Sequence, residues 1–376
     1  MQDAFVKYTP ALEQADPDFD RHLQTVIEET KKYEQSSVEA EGLKRAVRDA
    51  HAKGYGLARA EVEILAGLAP EYAQGVYALP GRHEALIRFS NGSAHAGADA
   101  LLGNPVGMGL KLLGIDGQTL LEDEPDSHTF DYALINAPIF FCNTVEHYLF
   151  IQQLFLHFGA YVGKQGQHQF LHDWVTGKDT LAPEDWAWDE LLAFLSILQR
   201  VHPVNLLLST YWTMGAVRHG EYVAKVRVAP RKESAEKVVQ RLLDPASAAD
   251  IFRPALVAEL QERPYEFELQ VQLCMDLEKM PVEDLTVEWP EPLSPFVTVA
   301  RVRLPQQDIS GDDNLEEMDA TSITPWRCPE EHRPLGNLMR MRKEVYRQSS
   351  ILRHALNHQI RREPKSLADV FGKVHA

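Results

Sequence analysis

Six separated stretches of this 376-residue chain read as strands: "EALIRFS", "GMGLKLLGI", "DYALINAPIFF", "EYVAKVRV", "EFELQVQLCMD" and "VTVARVRLP". Several alternate apolar with polar or small residues, which turns one side of a strand toward a core and the other toward solvent or a covering layer. Half-buried antiparallel strands carry that pattern. Helical segments do not alternate regularly with these strands, so a doubly wound parallel sheet does not fit. The expected fold is α+β, an antiparallel sheet or closed barrel with helices packed outside it.

The sequence between the strands supplies those helices. The charged, helix-prone start ("RHLQTVIEETKKYEQSSVEAEGLKRAVRDA") predicts an arm or a pair of surface helices over residues 1–45. A barrel is expected over 80–310, with a mainly helical insert at 143–205, and "ESAEKVVQRLLDPASAADIFRPALVAELQER" reads as two helices. The proline-rich "MPVEDLTVEWPEPLSPF" is a loop crossing the surface or wrapping the core. A C-terminal helical segment fills 325–376, with a long helix from about Leu335 to about Arg362. No internal repeat or low-complexity tract is evident, and one domain over 1–376 is expected.

Charge narrows the partners. Against 38 Lys and Arg stand 55 Asp and Glu, a formal net charge of −17. That field repels phosphate backbones and anionic membrane surfaces, so neither nucleic acid nor membrane is an expected partner. An anionic ligand would have to be held by a few specifically placed arginines. The start lacks the order of a secretory signal and no window is apolar enough to span a bilayer, so a cytoplasmic location is expected. Cys142, Cys274 and Cys328 lie far apart without a CxxC motif, which suggests buried thiols.

Three familiar motifs fail on inspection. In "GNPVGMGLKLLG" the glycines Gly107 and Gly109 lead into a strand, not a helix, so a dinucleotide site is not supported. "HQFLH" gives His168 and His172 a helical metal-pair spacing but lacks the glutamate of the metalloprotease motif. "NGSAHAG" lacks the nucleophile-elbow pattern.

Other residues hold more chemistry. In "RMRKEVY", Arg342 and Tyr346 are helical neighbours four apart, so the guanidinium can reach the phenol oxygen, and Arg353 follows two turns along the same face. His51 lies in "VRDAHAKGYG" with Arg48 three residues before it. Arg88 interrupts the apolar strand "ALIRFSNG", where an inward charge needs a partner.

With these residues in place the chain resembles the catalase family, specifically its shorter catalase-related heme proteins. The resemblance is carried by "HAKGYG", "LIRFSNGSAH", "NPVGMGLKL", "INAPIFFCNTVEHYLF", "VEWPEPLSPFVTVARVRLPQQD" and "HRPLGNLMRMRKEVYRQSSILRH", in that order from about residue 48 to about 355. It implies a catalase-like barrel binding heme b with ferric iron. Tyr346 would be the proximal iron ligand, and Arg342 would favour its phenolate form. His51 would be the distal acid–base residue. Arg48, Arg88 and Arg353 fall at the propionate-binding positions, Ser90 at the distal serine and Tyr148 at the aromatic residue packed against the porphyrin. The implied substrate is hydrogen peroxide or an organic hydroperoxide, with a small organic co-substrate possible. The charged arm suggests a homo-oligomer, because family members associate through N-terminal arms.

One departure bears on activity. Catalases place two consecutive asparagines before Thr-Pro-apolar-Phe-Phe, whereas this chain reads "INAPIFF". An ungapped match puts Ile135 at the distal asparagine position and Asn136 one residue along, and in a strand one residue changes the face. Asn136 is expected to serve if a small shift restores it to the pocket. A catalase-related heme enzyme that either disproportionates hydrogen peroxide weakly or acts as a peroxidase is the leading expectation. The alternatives are an enzyme that rearranges or transfers oxygen from lipid hydroperoxides, and a non-catalytic heme-binding barrel.

Overall fold

A computed structural model describes residues 5–372 except 15, 41, 44, 100–104, 125–126, 158–160, 201 and 362. Nine strands form one antiparallel sheet: β1 (Gly54–Ile64), β2 (Gly81–Asn91), β3 (Val106–Leu113), β4 (Thr129–Ile135), β5 (Tyr211–Trp212), β6 (Val217–His219), β7 (Tyr222–Pro230), β8 (Tyr265–Leu273) and β9 (Val297–Leu304). The order is β5-β4-β3-β2-β1-β9-β8-β7-β6, and β5 also pairs with β7. Two residues of β5 therefore close an eight-stranded barrel, with Ile135 opposite Trp212 on one side and Tyr211 opposite Val228 on the other. Closure removes the free edges that an open sheet would expose.

Alternation places the core. In β8, Tyr265, Phe267, Leu269 and Leu273 point inward and are buried, while Glu266, Glu268 and Gln270 turn outward. Phe267 has no exposed surface, and its truncation to alanine removes roughly 3–5 kcal/mol of packing. Six of the nine strands coincide with the expected segments. The barrel nevertheless starts at β1, well before residue 80. The alternation is present in "ARAEVEI", but Ala, Arg and Glu also favour helix and mask it.

Among the described residues the helices are α1 (Phe19–Ala40), α2 (Val145–Leu156), α3 (Gly163–Thr176), α4 (Trp188–Arg200), α5 (Lys232–Ala235), α6 (Phe252–Glu262), α7 (Asp312–Ala320), α8 (Asn337–Leu356) and α9 (Leu367–Phe371). The insert is helical as expected, through α2, α3 and α4. Of the two helices expected between β7 and β8, the first shrinks to the single turn α5. Glu259 of α6 accepts from the backbone N–H groups of Val239 and Gln240, and Leu242 bridges to Val204, so tertiary partners hold the chain out of helix there. The N-terminal segment is one helix. Val26 and Ile27 of α1 pack in a cluster with Leu338, Met341 and Val345 of α8, and so α1 covers the helix that carries Tyr346. The long C-terminal helix stops at Leu356 with Asn357 as its cap, and Arg362 lies outside the described residues. All three cysteines are free and buried.

Candidate functional site

Helix α8 begins after Gly336, whose φ of 91° suits glycine. Its inward stripe runs Leu338, Arg342, Val345, Ser349, Arg353, the 3–4 spacing of one helix face. Arg342 Nη2 donates to Tyr346 Oη at 2.7 Å, and the guanidinium carbon lies 5.0 Å from the ring centroid. Both residues line an internal cavity of about 240 Å³ between α8 and the end of the barrel.

Three more arginines converge on the same cavity. Their partners are backbone carbonyls: Arg48 donates to Thr321 O at 2.9 Å, Arg353 to Asp319 O at 2.7 Å and Arg88 to His51 O at 2.9 Å. Two of these acceptors stand at the C-terminal end of α7, where unpaired carbonyls and the helix dipole attract cations. His354 Nε2 lies 3.1 Å from the third, Ala320 O. Asp319 lies 4.0 Å from Arg48 and 3.2 Å from Arg45, and Glu34, which also acts on Arg48 and Arg353, is raised to about 8 and so is largely uncharged at neutral pH. Burial followed by repulsion from Arg48 lowers Arg353 to about 9, and burial likewise lowers Arg48 and, with Arg48 beside it, Arg88. The buried Nε atoms of Arg88 and Arg353 have no hydrogen-bond partner. This cluster of guanidiniums is under-neutralised, and a ligand bearing carboxylates would relieve it.

His51 enters from the barrel side with φ 58°, a left-handed conformation that costs on the order of 1–3 kcal/mol in a non-glycine residue. The neighbourhood over-determines it. Its carbonyl takes the Arg88 bond, and the next N–H, of Ala52, donates to Ser93 O at 3.0 Å. Its Nδ1 lies 2.6 Å from Asn91 O and 3.1 Å from Ser90 Oγ. A carbonyl only accepts, so Nδ1 carries the proton and Nε2 keeps a lone pair. Burial, then the charge of Arg88, lowers His51 to about 3, so the ring is neutral at physiological pH. The ring lies against Gly107, where a Cβ would come within 2.4 Å of Nδ1.

The remaining wall is apolar. Met108, Ile135, Phe140, Phe141, Ile197 and Met214 line it together with Tyr148, which stacks on Phe140 with centroids 6.4 Å apart. Every residue singled out from the sequence reaches this cavity except Asn136. Its Oδ1 accepts from Val106 N at 2.9 Å and its own N–H donates to Val106 O at 3.0 Å, so both groups serve to tie the end of β4 to β3. The expectation that Asn136 serves the pocket is therefore corrected: strand parity puts Ile135 on the cavity wall. Sequence reasoning did not find the carbonyls at the end of α7, the Asn91 carbonyl or the packing role of Gly107. Only the last left a signal, in "GMG".

The donor set fits a heme: a cation-backed phenol oxygen, unneutralised guanidiniums for two carboxylates and an apolar wall for the macrocycle. Comparison with solved structures agrees in architecture. A fungal catalase superposes over 95% of this chain and 67% of its own, with a TM-score of 0.56 and 16% identity. Catalase A from Saccharomyces cerevisiae covers 90% of this chain and 70% of its own at 0.59 and 17%, and a bacterial catalase covers 97% and 67% at 0.59 and 16%. The fold is that of the catalases. No protein-family model and no curated protein sequence matches. Set against the catalase fold, the cavity lies between barrel and C-terminal helix, and among the described residues no helix is long and apolar enough to cross a membrane.

Proposed function

We propose that this protein binds heme b and is an oxidoreductase acting on peroxides. The observation that carries the reading is the convergence of the Arg342–Tyr346 pair, three under-neutralised arginines and a neutral histidine on one cavity. Tyr346 Oη would ligate the iron, with Arg342 stabilising the phenolate. Arg48, Arg88 and Arg353 would take the propionates, and Tyr148 would pack on the macrocycle. Bound there, ferric heme supplies the Lewis-acid and redox chemistry that breaking an O–O bond requires. The protein's share is proton transfer. His51 Nε2 takes the proton from the incoming hydroperoxide oxygen and returns it to the departing oxygen, while Nδ1–H stays on Asn91 O and holds the tautomer.

Ile135 favours one branch of this reading. An apolar side chain at the cavity wall offers no hydrogen bond to a second small hydroxyl, and with Phe140, Phe141 and Ile197 it suits the alkyl part of an organic hydroperoxide. Peroxidase or hydroperoxide-transforming activity is thus favoured over rapid hydrogen peroxide disproportionation. The test is Tyr346→Phe in heme-supplemented protein. Loss of the ferric tyrosinate spectrum and of stoichiometric heme, with circular dichroism unchanged, is the expected result; an unaltered spectrum and heme content would overturn the assignment.

A further inference from the structure

A second polar cluster stands at the start of the helical insert, outside the proposed peroxide chemistry. Cys142, His147 and Glu190 each offer one ligand atom, all within 4.8 Å of one another. Cys142 precedes Thr144, the N-cap of α2, and His147 lies in that helix's first turn, fixed by its N–H donating to Thr144 Oγ1 at 3.0 Å. Glu190 comes from the first turn of α4. One of its oxygens accepts from Asn143 N at 2.7 Å, and the other contacts His147 Nδ1. Cys142 is completely buried, with its sulfur 3.6 Å from Thr144 O.

Nδ1 of His147 is the nitrogen that faces Glu190, while Nε2, on the other side of the ring, is buried without a hydrogen-bond partner. Thiol, imidazole and carboxylate are the three side-chain types that ligate zinc, and a soft sulfur beside an imidazole selects against magnesium and calcium.

We propose that Cys142, His147 and Glu190 form a zinc site that pins the start of α4 to the start of α2. On binding, the Cys142 S–H bond breaks, its proton passes to solvent and a Zn–S bond forms with no change of oxidation state. The neutral imidazole and the Glu190 carboxylate complete the protein ligands, and water takes the fourth position. Phe140, Phe141 and Tyr148 flank these ligands in sequence and line the large cavity, so the metal acts as a positioning element for that wall.

The test uses untagged full-length protein purified without chelator. About one zinc per chain is expected by mass-spectrometric metal analysis. After chelation, titration with Co2+ should give the near-ultraviolet thiolate-to-cobalt absorption, and Cys142→Ala and Glu190→Gln should lose stoichiometric zinc. The wild-type cobalt titration stands alone if a variant misfolds. Tyr346→Phe should keep its zinc, so failure of the heme reading would leave this result intact. Folded, chelated wild-type protein that takes up no zinc and shows no cobalt–thiolate band overturns the proposal in favour of a plain His147–Glu190 hydrogen bond.

Discussion

At the scale of single residues, the neutrality of His51 makes a specific demand on pH behaviour. A general base must be unprotonated, and with the ring lowered to about 3 it stays so throughout the physiological range. The rate of peroxide reaction should be flat from about pH 5 to 8, without the fall near 6.5 that an exposed histidine gives. His51→Ala should lower that rate roughly 10²–10⁴-fold while heme content holds, in stopped-flow absorbance with a hydroperoxide. An unchanged rate would make the barrel a heme carrier. Ile135→Asn restores an amide to the cavity wall and should raise the ratio of hydrogen peroxide to cumene hydroperoxide turnover about tenfold, an effect worth roughly one hydrogen bond. An unchanged ratio would remove Ile135 from specificity. The sequence disclosed Arg342, Tyr346 and Arg353 because helical spacing ties distance to residue number. It did not settle Ile135 against Asn136, because facing depends on parity and a single shift inverts it.

At the scale of elements, the segment after α8 is tied to the barrel by charge. Arg327 is fully buried and reaches Asp131 Oδ2 at 2.5 Å, Glu124 Oε2 at 2.7 Å and Glu363 Oε1 at 3.0 Å. Lys111 of β3 joins it, 2.9 Å from Asp131 and 2.6 Å from Glu363, and Arg361 pairs with Glu124 and Asp123. A buried network of this kind is costly to break from one side, since the orphaned carboxylates keep their desolvation penalty. Arg327→Met should therefore destabilise the protein by roughly 3–5 kcal/mol in urea unfolding, with amide exchange rising first around residues 357–363. A loss under about 1 kcal/mol would mean that Lys111 and Arg361 hold the segment without it. Nothing in the sequence marked this network, because its members are dispersed from Lys111 to Glu363 and charges carry no period. The strands were legible for the opposite reason. Several carry their own alternation, whereas β5 and β6, at two and three residues, are too short to show one and exist only as pairing partners.

Across the whole molecule, the fold buries histidines that its unfolded chain would protonate. Burial lowers His51 to about 3 and His219 to about 4, and it lowers His332 and His354 as well. Below about pH 6.5 the unfolded chain binds protons at these sites that the native state refuses, so stability present above that pH drains away as pH falls toward 4. Three buried carboxyls act in the opposite sense. Burial and the neighbouring Asp49 raise Glu34 to about 8, and burial raises Asp49 and Glu363, so their contribution is lost as pH rises. On unfolding the histidines take up protons and the carboxyls release them, and the histidine side gains as the pH falls toward 4, where the unfolded carboxyls are protonated too. Lowering the pH from 5.5 to 4 should lower the urea midpoint at constant slope. Above about pH 6.5 the histidines no longer titrate while the carboxyls still do, and Lys225, which burial lowers to about 8, acts only from there upward, so the stability maximum should stand near neutrality and not at the acidic isoelectric point, about 5.3. A midpoint that rises on acidification would show that these rings are charged in the native state. The neutral form assigned to His51 would then fail together with them, since the same burial determines both.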